Sequence, residues 1–335
     1  MSIMYHSIGL CGNTKKYFMK KFNIIIVIAV FGFISCKNQQ IIPQIKYSKE
    51  AVSKPIPFAK GVISTEANSE FELTFSIDGL TIYFSRRPPG EKQMIYKSNF
   101  KDGKWTTPQL ANFSKSRDET PMITPDGKFM FFGSEREIPN KPNKGNFDMN
   151  IWMMEKTNQG WSNAKPLPEP INFVQIENEE WPSSNNNFLF TNDNQNYYFT
   201  TMMRGRKSIQ LYETKFDGKV FSEPKVVNGI WDDEKYWVYS AVISPDGKYL
   251  IFNSFDAPNG AGGEDIFVSK RIGNGWSKAK SIGNLVNTKD EESSPRFSRD
   301  GKYFFFSRAE NKGNFEYGEW SIFFVETKYL NLDKI

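Results

Sequence analysis

The sequence predicts an all-β chain folded as a β-propeller of four-stranded antiparallel blades. Five blades are favoured, and the last is closed by a strand from the N-terminal end. Three observations predict this. A turn motif built on aspartate recurs five times, at Asp78, Asp126, Asp193, Asp246 and Asp300. Each copy leads into an apolar segment rich in aromatic and β-branched residues, as strands favour. Composition agrees: 16% of the 335 residues are aromatic, enough for a large core, and Gly, Asn, Ser and Pro are scattered in turn-like clusters with no long helical period.

The unit is clearest at Ser244-Pro245-Asp246-Gly247-Lys248-Tyr249-Leu250-Ile251-Phe252-Asn253 and at Ser298-Arg299-Asp300-Gly301-Lys302-Tyr303-Phe304-Phe305-Phe306-Ser307. Proline presets φ, aspartate bonds its own backbone and glycine accepts positive φ, so the turn joins two strands. The copy at Asn192-Asp193-Asn194 lacks both Pro and Gly and is the weakest. A third strand follows each pair, for example Met94-Ile95-Tyr96 and Asp265-Ile266-Phe267. A polar turn and an aromatic residue then open a fourth, as at Asp102-Gly103-Lys104-Trp105 and Asn274-Gly275-Trp276. Four antiparallel strands make one blade.

The fifth copy lacks its fourth strand. Lys54-Pro55-Ile56-Pro57 matches Lys165-Pro166-Leu167-Pro168, so residues 55–64 are expected to supply that strand and close the ring. Closure leaves no long open edge.

The Ser-Pro-Asp-Gly-Lys turns, and the run Gly263-Glu264-Asp265-Ile266-Phe267 through Gly275-Trp276-Ser277, resemble the WD40-like repeats called PD40 of TolB-like propellers. The resemblance covers about residues 55–328 and is specific for fold, not function. It implies six blades as the usual number. A degenerate blade in the interval 134–190 would supply the sixth, and the five recognisable copies favour five.

Residues 1–35 read as a targeting segment. Met19-Lys20-Lys21-Phe22 is a basic start, and the apolar run from Asn23 to Phe33 is shorter than the ~20 residues that cross a bilayer. Phe33-Ile34-Ser35-Cys36 resembles the lipobox of bacterial lipoproteins. That resemblance implies cleavage before Cys36, lipidation of Cys36, and an outer-membrane anchor with the periplasmic side favoured. Residues 36–54 then read as a polar tether and 55–335 as the propeller.

Composition excludes several chemistries. The two cysteines are Cys11 and Cys36 and the one histidine is His6, so beyond Cys36 there is no thiol and no imidazole. A Ser-His-Asp or Cys-His nucleophile and a zinc site of His or Cys are excluded there, and no cofactor is expected. Four of the five net positive charges come from the leader, which carries Lys15, Lys16, Lys20 and Lys21 and no acid. The nearly neutral remainder argues against a nucleic-acid partner.

Two loop sets share one face of a propeller. The loops entering the inner strands carry Glu70, Glu119, Glu180 and Glu292, and the loops after the second strands begin near Arg86, Arg136, Arg204 and Arg308. These eight residues are the candidate ligand-binding set, with caps and ion pairs inside each blade as the competing role. Trp105, Trp161 and Trp276 recur at one repeat position and are expected to pack between blades. Trp181, Trp231, Trp237 and Trp320 fall in or near loops and are candidates for sugar or partner contacts. The expected function is a non-enzymatic envelope module that binds a protein, a polysaccharide or peptidoglycan, with the membrane engaged only through the lipid. The alternatives are a carboxylate-based glycoside hydrolase, which needs two acids in unlike surroundings, a sugar-binding propeller, and a lectin-like sandwich.

Overall fold

Each aspartate turn is held by its own side chains. In the second copy Asp126 Oδ1 accepts from Thr124 Oγ1 (2.7 Å) and from the Lys128 amide (3.1 Å), while Gly127 takes φ +69°. The same set recurs at Ser298, Asp300 and Lys302. The degenerate third copy works because Asn194 adopts φ 60°, a left-handed conformation that asparagine tolerates.

In a computed structural model, which describes residues 44–138, 148–172, 188–203, 206, 208–314 and 316–335, these turns join strands into five antiparallel blades. Blade 1 comprises Ser69–Phe75, Thr81–Arg87 and Met94–Lys101, with short outer strands Lys104–Trp105 and Gln109–Leu110. Blade 2 comprises Asp118–Ile123, Phe129–Ser134 and Asn150–Thr157, with outer strands Gly160–Trp161 and Lys165–Pro166. Blade 3 runs Leu189–Thr191, Asn196–Thr201, Gln210–Lys215 and Lys225–Val226. Blade 4 comprises Tyr239–Ile243, Tyr249–Phe255 and Glu264–Ile272, with outer strands Gly275–Trp276 and Lys280–Ser281. Blade 5 is Glu291–Phe297, Tyr303–Ala309 and Ser321–Glu326, and its outer strand is Ile56–Pro57, paired with Phe324 and Phe323. Successive blades touch in chain order through their inner strands, except that the inner strand of blade 3 meets the second strand of blade 2, and the inner strand of blade 5 touches that of blade 1. The ring therefore has five blades, and the N-terminal closure expected from the Lys-Pro-Ile-Pro match is present. Outer strands are two residues long and carry Lys165, Lys225 and Lys280, which blunts them against edge pairing.

The turns also lock blade to blade. A Cβ built on Gly127 of blade 2 would lie 2.2 Å from Ile77 Cδ1 of blade 1. In the corresponding place, one on Gly301 of blade 5 would meet Pro245 Cγ of blade 4 at 3.3 Å. Gly127→Ala therefore adds a clash to a left-handed backbone, and we expect a loss of about 2–4 kcal/mol from both effects. Urea unfolding checks this, and a loss below about 1 kcal/mol would mean that the blade contact yields.

The boundary between tether and propeller lies upstream of residue 55. Tyr47 sits in the seam between blades 5 and 1, stacked on Phe75 with centroids 5.4 Å apart, and it donates from its hydroxyl to Gly79 O at 3.1 Å. Val52 is buried and exchanges hydrogen bonds with Glu326. Residues 44–54 thus belong at least partly to the folded ring.

Candidate functional site

The acid–arginine set is built into the start of the inner strands of blades 1, 2 and 5. Glu70 pairs in register with Arg86, and Glu292 with Arg308. Arg86 Nε lies 3.1 Å from Glu70, and Arg308 Nε lies 2.8 Å from Glu292. The other lone pairs take the amide and hydroxyl of a preceding threonine, Thr65 for Glu70 and Thr288 for Glu292. Each guanidinium also donates to the carbonyls of the entering loop, Arg86 to Val62 and Ile63 and Arg308 to Val286. Burial pushes both carboxyls up to about 7, against the downward pull of these donors and cations.

In blade 2 the equivalent acid is Asp118, not Glu119. Asp118 stands eight residues before Asp126, as Glu70 does before Asp78 and Glu292 before Asp300. It accepts from Ser114 Oγ, from the Lys115 amide and, at 2.7 Å, from Arg136 Nη2. Glu119 instead pairs with Arg117 at 3.0 Å. Glu180, Arg204 and Cys36 lie outside the described residues, as does Trp181. The described members are thus gathered within single blades and do not converge on one point.

What does converge lies one layer deeper. Inner strands of blades 1, 2, 4 and 5 each carry a bulge, between Phe71 and Leu73, Glu119 and Met122, Tyr239 and Val242, and Ser293 and Arg296. Bulges re-aim side chains. Three bulged residues, Thr120, Ser240 and Ser294, take positive φ, and Glu72 stands at the same repeat position in blade 1. Ser294 Oγ of blade 5 reaches Glu72 Oε1 at 3.1 Å. Arg296 of blade 5 donates from Nη1 to Pro295 O (2.6 Å) and to Ser240 O of blade 4 (3.4 Å). Its guanidinium carbon stands 4.3 Å from the ring of Phe188, just before the inner strand of blade 3. Blades 5 and 3 are not neighbours in the ring, so this contact crosses the central channel. Below it, Arg299 of blade 5 donates to Phe75 O of blade 1 and to Ile123 O of blade 2, crossing the channel again on the turn side.

Above it, on the loop side, Glu264 and Glu291 meet. The Glu264 amide donates to Glu291 Oε2 at 2.6 Å, Asn253 donates to Glu264, and Asn311 donates to Glu291. Burial first, then the charges of Glu291 and Glu72, drive the Glu264 carboxyl well above the usual carboxylate range; burial also raises Glu291. Beside them Trp320 lies against Phe71 and Tyr317 at 5.6 and 6.2 Å, and the exposed Arg87 covers the Phe71 ring at 5.4 Å. Among the described residues no group of three or more His, Cys, Asp or Glu could hold a metal ion.

The tryptophans divide differently from the repeat pattern. Trp105 is buried beside Phe58 and Phe100, as its repeat position implies. Trp231, expected in a contact loop, packs edge-on against Phe252 and Phe267 instead. The deeper residues left a signal that the motif search passed over. Glu72 is the one acid at the position six before the turn aspartate, and Arg296 the one cation at the position four before it.

No family model matches the chain, and no curated protein matches it. Among solved structures it is similar to one titled "Glycoside hydrolase", with TM-score 0.54, 10% identity, and coverage of 82% of this chain and 92% of that one. It is also similar to TolB from Acinetobacter baumannii (TM-score 0.46, 17% identity, 78% of this chain) and to a TolB assigned to Agrobacterium tumefaciens (TM-score 0.44, 16% identity, 79% of this chain and 77% of that one). The chain spans about half the length of the Acinetobacter protein, 55% of it. At these identities what is shared is the propeller fold.

Proposed function

We propose that the chain is a non-catalytic binding module of a bacterial envelope, lipid-anchored at Cys36, which takes a protein or a saccharide polymer at the loop-bearing mouth of its ring. The observation that carries the reading is the mouth itself. Tyr317 offers an exposed aromatic face, backed by the buried Trp320 and by Phe71 under Arg87, beside a pair of acids, while the repeat-position acids are tied to arginines in equivalent surroundings. Equivalent acids do not divide into proton donor and nucleophile. Aromatic faces flanked by polar groups suit sugar rings and peptide side chains.

One observation favours a second reading. Glu264 and Glu291 are neighbouring buried acids, both raised by burial and Glu264 the more strongly, and glycoside hydrolysis uses two acids whose environments differ. Calorimetry of the purified chain against a panel of envelope polysaccharides and peptidoglycan fragments, with a reducing-sugar assay on the same samples, separates the two. The binding reading expects affinity without new reducing ends. It also expects Tyr317→Ala or Arg87→Ala to weaken binding about fivefold to tenfold. New reducing ends that vanish in Glu264→Gln would replace it with the hydrolase. Unchanged affinity in both surface variants would remove the mouth as the site.

A further inference from the structure

Arg296 is buried with three of its five N–H donors unused. Nη1 is satisfied by two carbonyls, but among the described residues Nε and Nη2 have no acceptor, and Arg296 is 6% exposed. Those two nitrogens form one edge of the guanidinium, the edge that grips a carboxylate with two parallel hydrogen bonds. Glu72 is 8% exposed; the hydroxyls of Ser294 and Ser85 bear on its carboxyl, and among the described residues its Oε2 has no hydrogen-bond partner. The two charges influence each other across the channel, but neither supplies the other's missing hydrogen bonds. A buried cation and a buried acid left this way are costly unless a partner beyond the described residues completes them.

The surroundings select what that partner is. Glu72, held by Ser294 two residues from Arg296, is an acid beside the guanidinium, so a dianion such as phosphate would meet repulsion there. A group with one negative and one positive end meets complementary charge at both levels. Arg299, bonded to Phe75 O and Ile123 O, occupies the turn side, which makes the loop side the way in. We propose that the channel takes an α-amino carboxylate, free or at the end of a polymer's side chain, with its carboxylate on the Nε–Nη2 edge of Arg296 and its ammonium on Glu72. The proposal rests on the binding reading above and places a second, deeper contact beneath the mouth.

The test is calorimetry and thermal melting of the purified chain with glycine, L-alanine and D-alanine, with acetate, ethylamine and inorganic phosphate as single-charge and dianion probes. Soluble peptidoglycan fragments form a parallel arm that separates a free ligand from one carried on a polymer. At least one zwitterion is expected to bind and to raise the melting temperature, with acetate and ethylamine at least about tenfold weaker. Arg296→Gln and Glu72→Gln are each expected to weaken binding about tenfold to a hundredfold. Arg296→Lys, which keeps the charge and loses the fork, should resemble Arg296→Gln. Circular dichroism and unliganded melting of each variant confirm that it is folded. The proposal falls if no zwitterion binds the wild-type chain at about 10 mM, a level that would still detect affinity of a few kcal/mol. It also falls if binding survives unchanged in folded Arg296 and Glu72 variants, or if phosphate binds as well as the zwitterions. Polymer binding that depends on Tyr317 but not on Arg296 would leave the mouth standing and remove the channel site. Amino-acid binding that depends on Arg296, without any polymer affinity, would do the reverse.

Discussion

A chain that starts at Thr65 is expected to lose the closed ring. The segment it lacks does three jobs in the seam between blades 5 and 1. It supplies the outer strand of blade 5, where Ile56 pairs with Phe324 and the Phe58 amide donates to Ile322 O at 2.7 Å. It fills the seam, since Phe58 is fully buried with its ring 5.6 Å from Trp105, 5.0 Å from Phe305 and 5.3 Å from Phe324, and Ile63 is fully buried behind it. It also offers Val62 O and Ile63 O to Arg86, so its removal strands a buried guanidinium. Burying each of Val52, Phe58 and Ile63 is worth about 1.5–3 kcal/mol, so their summed loss approaches the whole stability of a typical domain, about 5–15 kcal/mol. The truncated chain should therefore aggregate or melt without a cooperative transition in calorimetry. A synthetic peptide of residues 44–64 added in trans should restore a cooperative melt. Phe58→Ala in the full chain should cost about 3–5 kcal/mol by the same packing. A truncated chain that melts sharply within a few degrees of the full one would show that the ring holds without its N-terminal closure.

The repeat is what made the fold legible. Where the turn aspartate returned, the strands on either side followed from turn chemistry and alternation, and the third strands begin at or within a residue of their expected starts at Met94, Asn150, Gln210, Asp265 and Ser321. Closure was legible for the same reason, because an outer strand at one end of the chain resembled an outer strand in its middle. Tyr47 was not legible. One aromatic in a polar stretch has no period, and only the seam shows that it is core. The site was harder: the eight-residue spacing to the turn aspartate holds in blade 2, but there it falls on an aspartate, with a glutamate matching those of blades 1 and 5 directly beside it. Glu119 and Asp118 are adjacent in sequence, but Glu119 sits beside the bulge and bonds Arg117, while Asp118, opposite Ser134, takes the repeat position and is reached by Arg136 from two residues further on. Glu72 and Arg296 were hidden because they replace small or apolar residues at positions where a repeat gives no reason to expect charge.

Arg308→Met is expected to be cheap in acid and expensive in base. Glu292 is fully buried, and its folded-state carboxyl is raised by burial to about 7, against an ordinary 4.5. A raised carboxyl is a group whose folded form binds its proton more tightly. Its contribution to stability is full below the unfolded pKa and is lost as pH climbs through the folded one, here between 4.5 and about 7. Below about pH 5 the acid is neutral, and removing Arg308 costs chiefly the hydrogen bonds to Glu292 and to Val286 O, about 1–3 kcal/mol. Above about pH 8 the acid is charged in the wild-type chain, and removing its cation leaves an uncompensated buried charge, about 3–5 kcal/mol. The variant should therefore lose stability more steeply with rising pH than the wild type does. The double variant Glu292→Gln, Arg308→Met should flatten that extra slope, since no titrating acid remains to be stranded. Urea unfolding of the four proteins at both pH values gives the cycle directly. A cost for Arg308→Met of about 1–3 kcal/mol at both would mean that Glu292 stays neutral throughout. The arginine would then act through its hold on the Val286 carbonyl, and the acid–arginine layer would be a packing device whose charge is incidental.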